Sequence, residues 1–331
     1  MDLTWLDPAA LDGRAVAGAV AVIEAARLVD SPHELPCSVA AYTADLQHGW
    51  DGDPSEVAVS RDAAGRVVAV LGVHLPTRDN LHLGYVSVTV DPRVRRQGIG
   101  RALFEAGVEK VRAAGRTLVM TDSFDVPHSL AFIKQLGLDR AMDDVKRRQE
   151  LPLLDWARLD SEFEAATVVA ADYELFRMPT EIPDKLLPAV MEMVTAINDA
   201  PTDDLDIEDE VFSPERIRAF EVAQKAHGRR MYQLVARHRE TGVLAGHTVI
   251  GVESEQPWYG SQFDTSVLAA HRGHRLGLLL KIGMLRWLAE EEPQLRILDT
   301  WNAASNDHMI AVNEALGYQV VATGGEFQRY L

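Results

Sequence analysis

Two stretches of the chain end a β-branched segment in a cluster of basic residues and glycines, then continue as an apolar-striped segment of helical spacing. The first is "VTVDPRVRRQGIGRALFEAGVEKV" (88–111). The second, "TSVLAAHRGHRLGLLLKIGMLRWL" (265–288), has Arg275 where the first has Gly98. The first turn of a helix carries unpaired N–H groups and the positive end of the helix dipole, so this layout attracts phosphate. Glycine at Gly98 and Gly100 removes side chains that would hold a pyrophosphate off the backbone. Arg93, Arg95, Arg96 and Arg101 add positive charge around that cradle. "RRQGIG" lacks the lysine and Ser/Thr of a nucleoside-triphosphate loop, and it lacks the three-glycine dinucleotide fingerprint.

The elements that must position these loops recur in the two halves. An apolar run with a turn at Gly65 (Val57–Leu71) predicts a hairpin, and Tyr232–Val252 repeats it with a turn at Gly242. A strand, "GYVSVTV" or "QFDTSVL", then leads into each loop. After the loop's helix come "TLVMTD" and "RILDTW", each followed by a short helix ending in leucine-glycine. Gly65 and Gly242 are 177 residues apart, as are Val90 and Val267, and Gly137 and Gly317 are 180 apart. Such a near-constant offset indicates duplication. Upstream, helices are expected at 14–28 and 37–48, and again at 184–198 and 214–227, with Ser213 as N-cap and Pro214 in the first turn. The fold class expected is α/β (α+β): two tandem domains, 1–151 and 168–331, each a mixed, mostly antiparallel sheet flanked by helices. Residues 152–167 are expected to form a connecting helix.

Composition bounds the partners. Charged and apolar contents are those of a globular chain, and no long uncharged apolar run suggests a membrane span. A net charge of −17 argues against nucleic acid or anionic membrane as partner. Cys37 is the single cysteine, which excludes an internal disulfide and any multi-cysteine metal site. The acidic N-terminus lacks the layout of a signal peptide, so a cytoplasmic setting is expected. No metal is expected, and oligomerisation is not legible.

Arg95, Gly98 and Gly100 match the Arg/Gln-x-x-Gly-x-Gly/Ala signature after the fourth strand of the GNAT superfamily of N-acetyltransferases, which the chain resembles as two tandem units. "NEALGY" (313–318) is similar to the family's later leucine-glycine-aromatic motif. The resemblance implies acetyl-CoA, or another acyl-CoA, gripped by the loops. The residues concerned are Arg95, Arg96, Gln97, Gly98, Ile99, Gly100 and Arg101, and Arg272, Gly273, His274, Arg275, Leu276 and Gly277. The pantetheine arm would run along Val88 and Val90, or Val267, and Asn306 matches a cofactor-contacting asparagine. Arg275, read as lying on helical backbone, keeps the second cradle usable but narrower.

The usual glutamate and tyrosine of the family are missing. Gly84 and Ser261 stand at the glutamate position, and Ile133 and Asn313 at the tyrosine position. Asp264, Asn302 and Asn313 are the expected catalytic substitutes, which favours chemistry in the second half. His82, Tyr85, Asp122 and Ser123 are the polar candidates of the first. In the family the connection between the early helices borders the acceptor site. Asp203, Asp204 and Asp206, from a run of six carboxylates in residues 203–210, therefore imply a small cationic amine acceptor bound by the second half. The activity implied is N-acyl transfer; a catalytically silent acyl-CoA sensor is the alternative.

Overall fold

The computed structural model describes residues 2–331. In chain order the first half holds β1 (Asp2–Trp5), α1 (Gly13–Asp30), α2 (Val39–His48), β2 (Glu56–Arg61), β3 (Val67–His74), β4 (Leu83–Val90), α3 (Ile99–Ala113), β5 (Leu118–Phe124), α4 (Pro127–Leu136) and β6 (Asp139–Glu150). The second half holds α5 (Trp156–Val169), β7 (Tyr173–Met178), α6 (Leu187–Val194), α7 (Pro214–Ala226), β8 (Arg229–His238), β9 (Leu244–Glu253), β10 (Tyr259–Val267), α8 (Leu276–Glu291), β11 (Ile297–Ala303), α9 (Asp307–Ala315) and β12 (Gln319–Tyr330). Both hairpins form, with Gly65 and Gly242 at positive φ. Ser213 caps α7 with Pro214 in its first turn.

The compact units are not simply the two sequence halves. The first comprises 1–144, 202–208 and 322–331; the second comprises 145–201 and 209–321. In the first unit β12 pairs antiparallel with β5, from Gly324 opposite Phe124 to Tyr330 opposite Leu118. Its strand order is β1-β2-β3-β4-β5-β12. The second unit follows the order β7-β8-β9-β10-β11, with the 145–150 stretch of β6 beside β11. The expected connecting helix exists as α5 and belongs to the second unit, where Leu159 and Ala166 enter the core around α8.

In each unit the sheet is mixed and mostly antiparallel. The parallel pair is β4–β5 in the first and β10–β11 in the second. One face of the first sheet packs on α3. Leu103, Phe104, Val108 and Val111 of that helix recur at the spacing of a buried stripe and meet Leu71, Val86, Val119 and Phe327. Gly107 allows the close fit, since a Cβ there would stand 2.6 Å from Val86 Cγ1. The opposite face carries α1 and α2 over Val57, Val59 and Val70. α8 is more enclosed than α3, and its Lys281 is buried together with Leu280 and Ile282.

Candidate active site

Each parallel pair opens after three residues. β4 pairs with β5 from Leu83–Leu118 to Tyr85–Met120, and β10 with β11 from Tyr259–Ile297 to Ser261–Asp299. Beyond those points the ladder stops, leaving a splay whose far end leads to a basic glycine loop. β4 keeps regular register with β3. β10 bulges between Gln262 and Thr265, which re-aims Phe263 and Asp264.

The two loops share a backbone path that their residues divide differently. In the first, Arg96 (φ 65°) and Gly98 (φ 83°) are left-handed; in the second, Gly273 (φ 86°) and Arg275 (φ 55°) are. These are the same two positions at the 177-residue offset, with the glycine exchanged between them. Arg275 is therefore not on helical backbone, as its sequence context suggested; it is the left-handed N-cap of α8. Each loop holds one non-glycine residue in a conformation that costs about 1–2 kcal/mol. The glycines also serve different ends. Gly98 has open space where a Cβ would lie, so its conformation is what requires glycine, whereas a Cβ on Gly100 would press on Phe132 at 3.3 Å.

Neither α3 nor α8 has a side-chain cap, so the first-turn amides, from Ile99 to Arg101 and from Leu276 to Leu278, have no capping side chain. Of the basic residues, Arg95 and Arg272 shape the loops. Arg95 Nε donates to Val90 O (3.1 Å) and its guanidinium pairs with Asp30, beside His128. Arg272 Nε donates to Val267 O (3.0 Å) and pairs with Asp199. Arg93 holds Asp91, keeping that carboxyl below its usual range. Arg101 donates to Gln135 O, and Arg275 pairs with Glu162 at 2.7 Å. Among the described residues Arg96 is exposed and makes no ion pair, and Gln97 beside it is also exposed. The first cradle thus fits a pyrophosphate with backbone amides and one available guanidinium. His274 packs near Tyr173, whose hydroxyl lies 2.9 Å from His271 Nδ1. Asn306 caps α9, its Oδ1 accepting from Met309 N at 3.2 Å. Arg95→Ala is expected to lower the melting temperature, since it leaves Asp30 without its guanidinium partner at a cost of about 2–3 kcal/mol; thermal melts would check it.

The splay of the first unit is acidic on the face away from α3. Val119 and Phe327 point into the α3 core. By strand alternation Asp122 and its register partner Glu326 point to the other face. Asp144 lies close enough for the three to act on one another. Burial, then Asp122 and Asp144, pushes Glu326 up to about 8, and its Oε2 is buried without a partner. Burial, then Asp122, Asp143 and Asp203, pushes Asp144 up to about 6. Asp122 is also raised by burial, although water reaches its side chain; an accessible yet desolvated group lines a recess. Among the described residues none of these three makes a salt bridge.

The acidic run expected to serve the second half lies, through residues 202–208, in the first unit. Leu205 and Ile207, with Tyr85, pack on Leu83, Leu118 and Met120. Gln328 ties the loop down, accepting from Asp206 N (3.1 Å) and donating to Asp204 O (2.8 Å). Tyr330 donates to the Asp206 carboxylate at 2.8 Å, and His82 Nε2 donates to Asp206 O at 3.0 Å. Asp203 is left-handed at φ 46°.

In the second unit Asp264 is likewise accessible yet desolvated, and burial followed by Glu210 pushes it up to about 6. Asn302 and Asn313 meet, with Asn313 Nδ2 donating to Asn302 Oδ1 at 2.8 Å. Behind them Lys281 Nζ donates to Asn313 Oδ1 at 2.7 Å. Asp299 accepts a bidentate pair from Arg148 (2.7 Å), with Lys146 at 3.2 Å and Tyr259 Oη at 3.0 Å. Asp264 stands apart from the asparagine pair, with no hydrogen bond joining them among the described residues. Sequence reasoning missed Glu326, Asp144 and Lys281. A lone lysine inside "LGLLLKIGML" was the available signal for the last. Glu326 could not be placed while β12 was assigned to the second half.

Residues 6–138 match the model of the acetyltransferase (GNAT) family. Among solved structures, the chain is similar to a tandem GNAT protein from the clavulanic acid biosynthesis pathway, at 26% identity and TM-score 0.82, covering 99% of this chain and 98% of that one. A GCN5-related N-acetyltransferase from Sphaerobacter thermophilus matches at 17% identity and TM-score 0.69, over 99% and 95% of the two chains. A putative acetyltransferase from Pyrococcus horikoshii matches at 11% and 0.60, over 100% and 89%. The last two likenesses speak for the fold alone. No curated protein matches the chain.

Proposed function

We propose that this chain, whose residues 6–138 match the GNAT acetyltransferase family and which is similar over 99% of its length to a tandem GNAT protein, transfers an acyl group from acyl-CoA, acetyl-CoA first, to a small cationic amine bound in the first unit. The observation that carries this reading is the trio Asp122, Asp144 and Glu326, set at the mouth of the splay whose far end is the Arg96–Arg101 cradle. Among the described residues no three His, Cys, Asp or Glu side chains converge to hold a metal ion. Spaced ammonium groups fit the recess better. Asp203 and Asp204 extend its rim, and Asp206 serves mainly by docking the loop.

The amides of Ile99, Gly100 and Arg101 would hold the pyrophosphate of the acyl-CoA, with Arg96 and Gln97 beside it, and Val88 and Val90 would flank its pantetheine arm. The acceptor binds as a cation, and one amine nitrogen passes a proton to a carboxylate whose affinity for it is poised near neutrality. The free amine attacks the thioester carbon, the C–N bond forms and the C–S bond breaks. The nitrogen gives up a second proton as the amide forms; one of the two protons ends on the departing sulfur and the other leaves through the carboxylate to solvent, so that an ammonium and a thioester become an amide, a thiol and one released proton.

A second reading places the transfer in the other unit. The cradle there would be Arg272–Gly277, with the arm along Val267, Asp264 as base, and Asn302, held from behind by Asn313, at the thioester. The bulge that re-aims Asp264, and the rise of its pKa to about 6, favour it. Thiol release from acetyl-CoA, measured on two variants, separates the two. The first-unit reading expects Asp122→Asn to lower kcat/KM for a diamine about a hundredfold and Asp264→Asn to leave it within a few-fold; the opposite pattern would move the chemistry to the second unit. Binding of acetyl-CoA without thiol release for any amine would support the silent sensor.

A further inference from the structure

Lys281 is a lysine with 3% of its surface exposed, inside the apolar helix that begins at the second cradle. Its neighbours are Asn313 on α9, wholly buried, and the Tyr318 ring, 5.0 Å from Nζ. Among the described residues it has no carboxylate partner, so burying it is costly unless the site uses its charge.

An ammonium can only donate. Lys281 therefore dictates which way the Asn313 amide faces: Oδ1 toward Nζ (2.7 Å), Nδ2 toward Asn302 Oδ1 (2.8 Å). This in turn leaves the Asn302 NH2 group as the free end of the chain, on a side chain that is only half-buried. Its level in the splay follows from Thr300 Oγ1, which donates to Gln262 O at 3.2 Å across the parallel strands. Two residues further along β11, Asn302 is level with the β10 bulge at Phe263 and Asp264. Donors in series polarise one another, most of all when the first is charged.

We infer that Lys281 is a positioning residue: through Asn313 it orients and polarises Asn302 as a hydrogen-bond donor to the thioester carbonyl of an acyl-CoA held in the second unit. This rests on the reading that the second splay accepts an acyl thioester. It assigns the buried lysine discrimination of acyl-CoA from free CoA, which has no carbonyl for Asn302 to meet. Loss of the proton would free the Asn313 amide to turn over, because a neutral amine also accepts. Desolvation alone lowers Lys281, to about 7; Tyr318, the other titratable group facing it, is pushed up by burial. Discrimination is therefore expected to be strongest below pH 7 and to fade as pH rises above it.

The test is calorimetric titration of the full chain carrying Gly98→Val, which spoils the first cradle, with acetyl-CoA and with CoA at several pH values. Acetyl-CoA is expected to bind about tenfold more tightly than CoA at pH 6, with the preference declining through pH 7 to 8. Lys281→Met should remove both the preference and its pH dependence, and Asn302→Ala, which leaves the lysine in place, should remove the preference too. Should Lys281→Met fail to fold, the pH series and Asn302→Ala still decide. Equal loss of both affinities in Lys281→Met, or a preference independent of pH, would overturn the proposal while leaving an occupied second unit. Binding of neither ligand would overturn it together with the reading it rests on.

Discussion

Glu326→Gln is expected to stabilise the ligand-free chain and to disable its turnover. Glu326 binds its proton more tightly in the folded chain, at about 8 against an ordinary 4.5. The folded state is therefore penalised as pH rises above 4.5, and the penalty is complete only above 8. Glutamine removes the ionisation, so the gain in stability should be small at pH 4.5 and grow to a plateau near pH 8. The shift corresponds to at most about 5 kcal/mol, and the three carboxylates titrate as a coupled set. A rise of several degrees in melting temperature at pH 8 is the practical expectation. Above pH 8 the same substitution removes a charge that holds the cationic acceptor, and with it one of the groups able to take its proton. A fall in kcat/KM for a diamine of about a hundredfold should accompany the stabilisation. Melts from pH 4.5 to 9, together with thiol-release kinetics, check both. A variant that is less stable at pH 8 would mean that the recess holds Glu326 through contacts unrelated to its charge.

The second large effect concerns the exchanged glycines. Gly98→Val forces a β-branched residue to φ 83°, where any L side chain is strained. A loss of about 2–3 kcal/mol in stability is expected, with acetyl-CoA affinity in the first unit reduced at least tenfold, because the first-turn amides of α3 would be displaced. Arg275→Gly should do the reverse. It relieves the left-handed arginine and gives up an exposed pair with Glu162, itself worth little, so the net change should stay within about 1 kcal/mol. If Arg275→Gly unfolds the second unit while Gly98→Val is silent, the two loops do not share the conformational logic assigned to them.

Much of this arrangement was legible in the sequence because it is local. The repeat, the hairpins, the loops and their helices follow from periodicity and from turn residues within a few positions of one another. Asn302 and Asn313 were recognised as polar equipment, although only the fold shows them touching. What was hidden depends on strand exchange. No local pattern says that β12 completes the first sheet, and so Glu326 could not be set beside Asp122. For the same reason the acidic run at 203–210 was given to the half that encodes it, while residues 202–208 dock on the first unit through Leu205 and Ile207. The positive φ at Arg275 escaped because an arginine carries no left-handed signature; the neighbouring Gly273 was the clue.

The most direct test of the central claim is thiol release from acetyl-CoA, at fixed pH, across amines of increasing charge, from a monoamine to a diamine and a triamine. A cationic acceptor held by Asp122, Asp144 and Glu326 requires kcat/KM to rise with each added ammonium group, by about tenfold per charge at low salt, and the rise to collapse in Asp122→Asn. Rates that are indifferent to acceptor charge, or a charge preference that survives Asp122→Asn unchanged, would contradict it.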